Sequence, residues 1–135
     1  MREYVAKHRF ARTTTRKTRP VMNMVRGLPV NDALDILAHS TRRAAYLLRK
    51  VLASAVANAS QDQEINVNRL RVTRVFADDG PLLQGRMRWR AGPQGRAMPF
   101  RRRLCHITVV VGDETMEARG AEQSTGAEPK PAASE

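Results

Sequence analysis

Between Gly80 and Arg103 the chain carries seven arginines (Arg86, Arg88, Arg90, Arg96, Arg101, Arg102 and Arg103) and no acidic residue. The centre of this stretch, Ala91-Gly92-Pro93-Gln94-Gly95, is dense in turn-forming residues. Arg86-Met87-Arg88-Trp89-Arg90 alternates strictly, so as a strand it shows arginine on one face and Met87 and Trp89 on the other. A structureless connection of such length does not suit a compact domain. A long β-hairpin leaving the domain does: two limbs of about 11 residues, at ~3.3 Å per residue, reach on the order of 35 Å. An isolated two-stranded ribbon is marginal in water, and a ribbon of arginines repels itself until something anionic surrounds it. The segment is built to be ordered by a partner.

The kind of partner follows from what accompanies the charge. Trp89, Met98 and Phe100 are interleaved with the arginines, a mixture suited to stacking on unpaired bases and packing into RNA grooves. No helix-turn-helix, zinc finger or basic zipper is visible, which favours RNA over DNA. The whole chain holds 24 Lys+Arg against 13 Asp+Glu, a formal net charge of +11. Only four of the basic residues are lysine, and arginine forks onto phosphate oxygens where lysine acts as a point charge. A second basic cluster lies near the start: Lys7, Arg9, Arg12, Arg16, Lys17 and Arg19. Arg16 and Arg19 stand at the i, i+3 spacing of one helical face; Arg12 joins them only if the helix reaches back that far. Free N–H groups in a first helical turn are themselves a phosphate site. A third set, Arg42, Arg43, Arg49 and Lys50, reads equally well as a solvated helix face.

The charge is divided along the chain. Residues 1–111 hold 22 basic and 7 acidic residues, a balance of +15, and residues 112–135 hold 2 and 6, a balance of −4. From Ala118 to Glu135 the second segment lacks bulky apolar residues and cannot offset chain entropy by burial. An acidic, disordered tail over 113–135 is expected, after a single domain over 1–112 that includes the arm at about 80–104. At 135 residues the chain suits one domain. It has no run approaching a membrane span, no apolar leader at its start, and a lone cysteine, Cys105, which excludes an internal disulfide framework. These features read as a soluble cytosolic protein.

The remaining elements give an α+β order. Tyr4, Ala6, His8 and Phe10 alternate as one face of a strand. Thr13-Thr14-Thr15 offers N-cap hydroxyls for a helix running through Val25 to Gly27, with Pro20 either kinking it or standing near its true start. Pro29 to Asp32 caps a short helix from Ala33 to about Ala38. Ser40 or Thr41 caps a long one, whose stripe of Ala44, Leu48, Val51, Leu52, Ala55, Val56 and Ala59 follows helical spacing. Alanine at so many stripe positions implies close packing on a sheet. Leu70 to Ala77 and Cys105 to Val111 are rich in strand formers. The expected architecture is a small antiparallel sheet of about three strands packed against three helices, with the long hairpin arm protruding.

Enzyme readings fail on the same residues. Cys105 and His106 are strand neighbours, so their side chains point to opposite faces and cannot pair as nucleophile and base. His8, His39 and His106 lack metal-ligand spacing. Asp78-Asp79 before Gly80-Pro81 is a turn signature, and no phosphate loop of the G-x-x-x-x-G-K-[ST] type occurs. No catalytic residue, metal or cofactor is expected.

Several segments together carry a resemblance. Arg101-Arg102-Arg103 followed by Cys105-His106-Ile107-Thr108-Val109-Val110-Val111 resembles the final strand of the large-subunit ribosomal protein L-twenty-two family, with Cys105 in the usual serine place. Asp79-Gly80-Pro81 and Gly95-Arg96-Ala97 resemble the opening and return of that family's hairpin. Thr14-Thr15-Arg16-Lys17-Thr18-Arg19 is similar to its first-helix motif, with Thr15 in place of a proline. Val25-Arg26-Gly27 and Ser54-Ala55-Val56-Ala57-Asn58-Ala59 fit its helical region. The resemblance covers about residues 4–112.

It implies a structural constituent of the large ribosomal subunit that binds 23S-type ribosomal RNA, assists assembly, and reaches the nascent-peptide exit tunnel with its hairpin tip. On that reading Arg12, Arg16, Lys17, Arg19, Arg86, Arg88, Arg90, Arg96, Arg101, Arg102 and Arg103 contact RNA, and Ala91, Gly92, Pro93, Gln94 and Gly95 face the tunnel. The implied partners are ribosomal RNA, other large-subunit proteins and the nascent peptide, with no membrane and no homo-oligomer. The alternative with the same charge logic is a free-standing RNA chaperone or RNA-processing accessory protein.

Overall fold

The computed structural model describes residues 2–62 and 65–113. The acidic tail expected over 113–135 lies outside the described residues from 114 onward.

The alanine-rich stripe organises the helical layer. Helix α1 spans Thr15–Val25, α2 spans Val30–His39 and α3 spans Arg43–Ala59. Along α3, Ala44, Leu48, Val51, Leu52, Ala55 and Ala59 are buried, as their spacing demands; Ala45 joins them, and Val56 is half-buried. Full burial of Leu48 and Leu52 contributes about 1.5–3 kcal/mol each. The alanines let the helix approach the sheet closely, so enlarging one would cost about 1–3 kcal/mol in strain.

The sheet beneath consists of β1 (Glu3–Ala11), β2 (Leu70–Leu82) and, between them, a strand near the C-terminus, Arg103–Asp113, here β5. The order is β1-β5-β2 and every pairing is antiparallel. The run Ile107-Thr108-Val109-Val110-Val111 occupies the central strand and is buried along both faces, which explains why it is uniformly β-branched rather than alternating. β1 departs from the expected period. Tyr4 and Ala6 turn toward the core, but pairing shifts between His8 and Ala11. Phe10 takes a left-handed φ of 58°, and Ala11 fills the inward position with no exposure. Phe10 is thereby an exposed bulge residue and not a core one.

The helix starts differ from the sequence expectation in a common way: none is capped by a side chain. Thr14 is the N-cap of α1, Pro29 that of α2 and Arg42 that of α3, and no hydroxyl or carboxylate bonds a free N–H at any of them. The threonines are engaged elsewhere. Thr18 Oγ1 donates to the Thr14 carbonyl at 2.9 Å, and Thr15 Oγ1 donates to Asp79 at 2.8 Å. Helix α2 starts at Val30, three residues before the expected Ala33. Pro20 lies inside α1, where it cannot donate to the Arg16 carbonyl; of the two readings, the interior one holds. Gly27 follows α1 at φ 77°, and its N–H donates to the Val72 carbonyl at 2.9 Å, tying the helix exit to β2.

Two further strands, β3 (Arg88–Ala91) and β4 (Ala97–Phe100), pair antiparallel as the arm. The arm is less continuous than two unbroken limbs. β2 runs on through Asp78 and Asp79, which pair with His106 and Cys105 instead of forming the expected turn. The ladder reaches Leu82–Arg103, and Leu83 N–H donates to the Arg102 carbonyl at 2.8 Å. A single 3-10 turn at Leu83–Gly85 then interrupts it, with Gln84 and Gly85 at φ 61° and 69°. Beyond that turn each paired limb is four residues, about 13 Å at ~3.3 Å per residue. Gly80 marks the crossing into the arm: a Cβ there would lie 3.1 Å from the Leu104 backbone carbon and oxygen. The core cluster contains Ala77 and Cys105 and nothing between them, so the arm lies wholly outside it.

Candidate nucleic-acid interface

Where the arm leaves the domain, three segments distant in sequence border one open cleft of about 760 Å³. The end of β1 and the start of α1 supply Arg12, Thr13, Thr14, Lys17 and Pro20. The start of α3 supplies Arg42, Arg43 and Ala44. The arm base supplies Leu83, Arg101, Arg102, Arg103 and Leu104. Seven of these side chains are cationic and none is acidic.

Two of the walls, the β1–α1 segment and the arm base, are held by contacts that keep their cations in place. Ala11, buried at the end of β1, anchors Arg12. The Thr15–Asp79 bond fixes the first turn of α1 to β2. Thr18, fully buried, lies 3.9 Å from the sulfur of Cys105, joining α1 to β5 just beyond the arginine triplet. Burial pushes the Cys105 thiol up, partly offset by its Thr18 contact and reinforced by the Asp79 carboxylate. Cys105 is therefore a neutral packing group and not a nucleophile.

The electrostatics of this cleft are unfavourable for the chain alone. Two helix starts, at Thr14 and Arg42, open onto it without side-chain caps, leaving backbone N–H groups that suit an anion. Neither α1 nor α3 has an acid in its first turn. Both place cations there instead, against the positive end of the helix dipole. Three acids of the domain are engaged away from the cleft: Glu3 pairs with Arg74, Asp62 accepts from Tyr4 and lies 3.6 Å from Arg2, and Asp79 holds Thr15. A multivalent anion relieves this crowding of like charge; phosphate oxygens of a nucleic acid suit its arginine forks.

The structure divides the expected RNA-contacting residues into three groups. Arg12, Lys17, Arg101, Arg102 and Arg103 meet at the cleft. Arg16 and Arg19 are exposed on α1 but do not line it; Arg12 precedes the helix and so does not share their face. Arg86, Arg88, Arg90 and Arg96 lie out along the arm. Arg42 and Arg43, for which the sequence left a binding role and a solvated helix face equally open, belong to the cleft. The signal that could have found them is their place just before a stripe packed on the sheet, which forces that helix start toward the end of β1. The arm tip closes through Gly92 N–H to the Arg96 carbonyl at 2.6 Å and Arg96 N–H to Pro93 at 3.2 Å. Ala91 to Gly95 occupy that tip.

Among the described residues no group of three His, Cys, Asp or Glu could hold a metal ion, and no helix is long and apolar enough to cross a membrane. Comparison with known families finds that residues 6–112 match the family described as Ribosomal protein L22p/L17e. The match spans all three strands of the main sheet, the three helices and the arm. The family is a structural, non-enzymatic one, and membership places the protein in the ribosome, in the cytoplasm. From a cationic cleft at the foot of an arginine-rich arm, and from that match, the chain belongs to the ribosomal protein L22p/L17e family and is a structural constituent of the large ribosomal subunit, serving translation.

Proposed function

We propose that this protein binds 23S-type ribosomal RNA at the cleft and along the arm, and that it ties separate RNA segments together during assembly of the large subunit. The observation that carries the reading is the convergence of seven cationic side chains from three chain segments, with no acid, around one open cleft. Neutralising phosphates there releases condensed counterions, which supplies sequence-independent affinity. Arg12, Lys17, Arg101, Arg102 and Arg103 act at the cleft, Arg16 and Arg19 on the neighbouring helix face, and Arg86, Arg88, Arg90 and Arg96 along the arm.

On this reading residues 1–112 are the RNA-binding unit and the arm threads inward through RNA. Its tip, Ala91 to Gly95, then forms part of the wall of the peptide exit tunnel and meets the nascent peptide, while the globular part contacts other large-subunit proteins. The protein acts as one copy per particle, needs no cofactor and catalyses nothing. Co-sedimentation tests this. One copy should remain with purified large subunits through a high-salt wash. Release by the wash, or substoichiometric occupancy, would favour a free-standing RNA chaperone.

A further inference from the structure

The pairing of the arm sorts its side chains in a way neither strand reveals alone. Arg88 stands opposite Phe100 and Arg90 opposite Met98, so these four share one face. Trp89 stands opposite Pro99 and Ala91 opposite Ala97, so the other face of the ribbon is uncharged. Phe100 is half-buried and already occupied, with the Arg90 guanidinium 4.3 Å from its ring centroid. Trp89 is 62% exposed, and no hydrogen bond or ring contact engages it among the described residues. Its one close cross-strand neighbour is a proline, a flat apolar floor.

We infer that Trp89 is a stacking site for a single unpaired RNA nucleobase, on the uncharged face of the arm, while the arginines of the opposite face and of the arm base hold the flanking phosphates. The inference rests on the RNA-binding reading above. It follows from charge and shape together. Seven arginines and no acid between Gly80 and Arg103 oppose a cationic surface as the occupant and favour a polyanion. Within a polyanion, only a nucleobase offers a flat apolar face to an exposed indole. The base must be unpaired, because both faces of a base inside a helix are already stacked.

Trp89 is the only tryptophan in the chain, so its emission reports the site directly in the full-length protein. The probes are a single-stranded RNA of about 12 nucleotides and a blunt duplex of the same length, within the usual site sizes of stacking proteins. Affinity is read separately by anisotropy of end-labelled RNA. The single strand should quench Trp89 in step with its binding curve, and the duplex should bind without quenching. Trp89→Ala should weaken the single strand roughly tenfold or more and leave duplex affinity and salt dependence unchanged; Trp89→Phe should restore most of the loss. Trp89 lies outside the core cluster, so neither variant endangers folding. Salt-dependent binding of the single strand without quenching, and with Trp89→Ala unaffected, would remove the stacking site and leave RNA binding intact. Equal quenching by the duplex would also overturn it. Failure of both RNAs to bind would defeat the RNA reading itself.

Discussion

The hydroxyl of Thr15 donates a 2.8 Å hydrogen bond to Oδ1 of Asp79, and through it the first turn of α1 is fixed to the strand that leads into the arm. Lys17 belongs to the first of these pieces, and Arg103, the last of the Arg101 to Arg103 triplet, pairs with the second. The spacing of cations across the cleft therefore depends on a contact that involves none of them.

Thr15→Val, which keeps the shape and removes the donor, should cost about 1.5–3 kcal/mol, the range for a hydrogen bond to a charged group. Asp79→Asn keeps an acceptor and should cost less. Urea denaturation of the two variants checks the order; equal losses would mean that charge and not the hydrogen bond holds the contact.

Pro20 sits within α1 and lines the cleft. Pro20→Ala restores a donor to the Arg16 carbonyl and removes the ring, set against a freer unfolded chain. A stabilisation of about 1–2 kcal/mol is expected, well short of the ~3 kcal/mol scale for an interior proline because the surrounding turn is already adapted to it. Thermal melts followed by circular dichroism should show a rise of several degrees.

Cys105 gives the stability its pH dependence at the alkaline end. With its thiol pushed up by burial, the folded chain holds that proton more tightly than the unfolded chain. The resulting stabilisation is complete below the ordinary thiol range and is lost as pH rises through and beyond it. Tyr4, raised chiefly by its hydrogen bond to Asp62, loses its share at higher pH. Cys105→Ser should flatten the fall that sets in above about pH 8.5, the ordinary thiol value, and leave the tyrosine contribution. Identical alkaline slopes in the two proteins would show that the thiol is not held protonated by the fold.

The sequence exposed most of this architecture because its strongest signals are periodic. The α3 stripe points to one partner surface and the β-branched run Ile107 to Val111 to a strand covered on both faces, and both are buried accordingly, with Val56 half-buried. What escaped it was set by contacts between distant segments. Thr15 reads as a capping residue until Asp79, far along the chain, takes its hydroxyl. Asp78 and Asp79 read as a turn until β5 pairs with them. Phe10 reads as sharing a strand face with Tyr4 and Ala6 until the bulge before Ala11 rotates it outward. Arg42 and Arg43 read equally well as a binding set or a solvated helix face until α3 packs on the sheet and brings them to the cleft.

The arm should be separable from the domain. Replacing Leu83 to Arg102 with a short turn removes no member of the core cluster and keeps the Leu82–Arg103 pairing as its base. The shortened protein should retain the helical circular dichroism signal and a cooperative melt, while its occupancy in purified large subunits falls. Unfolding of the domain would show that the arm contributes to the core after all.

The most direct test of phosphate binding at the cleft is the salt dependence of RNA affinity, measured for the wild type and for Arg101→Gln, Arg102→Gln and Arg103→Gln combined. Each neutralised phosphate contributes about −0.7 to the slope of log K against log salt on a single strand. If all three arginines meet phosphate, the variant's slope should be flatter by roughly 2, with its fold unchanged by circular dichroism. A slope identical to the wild type would mean that the triplet at the foot of the arm does not contact RNA.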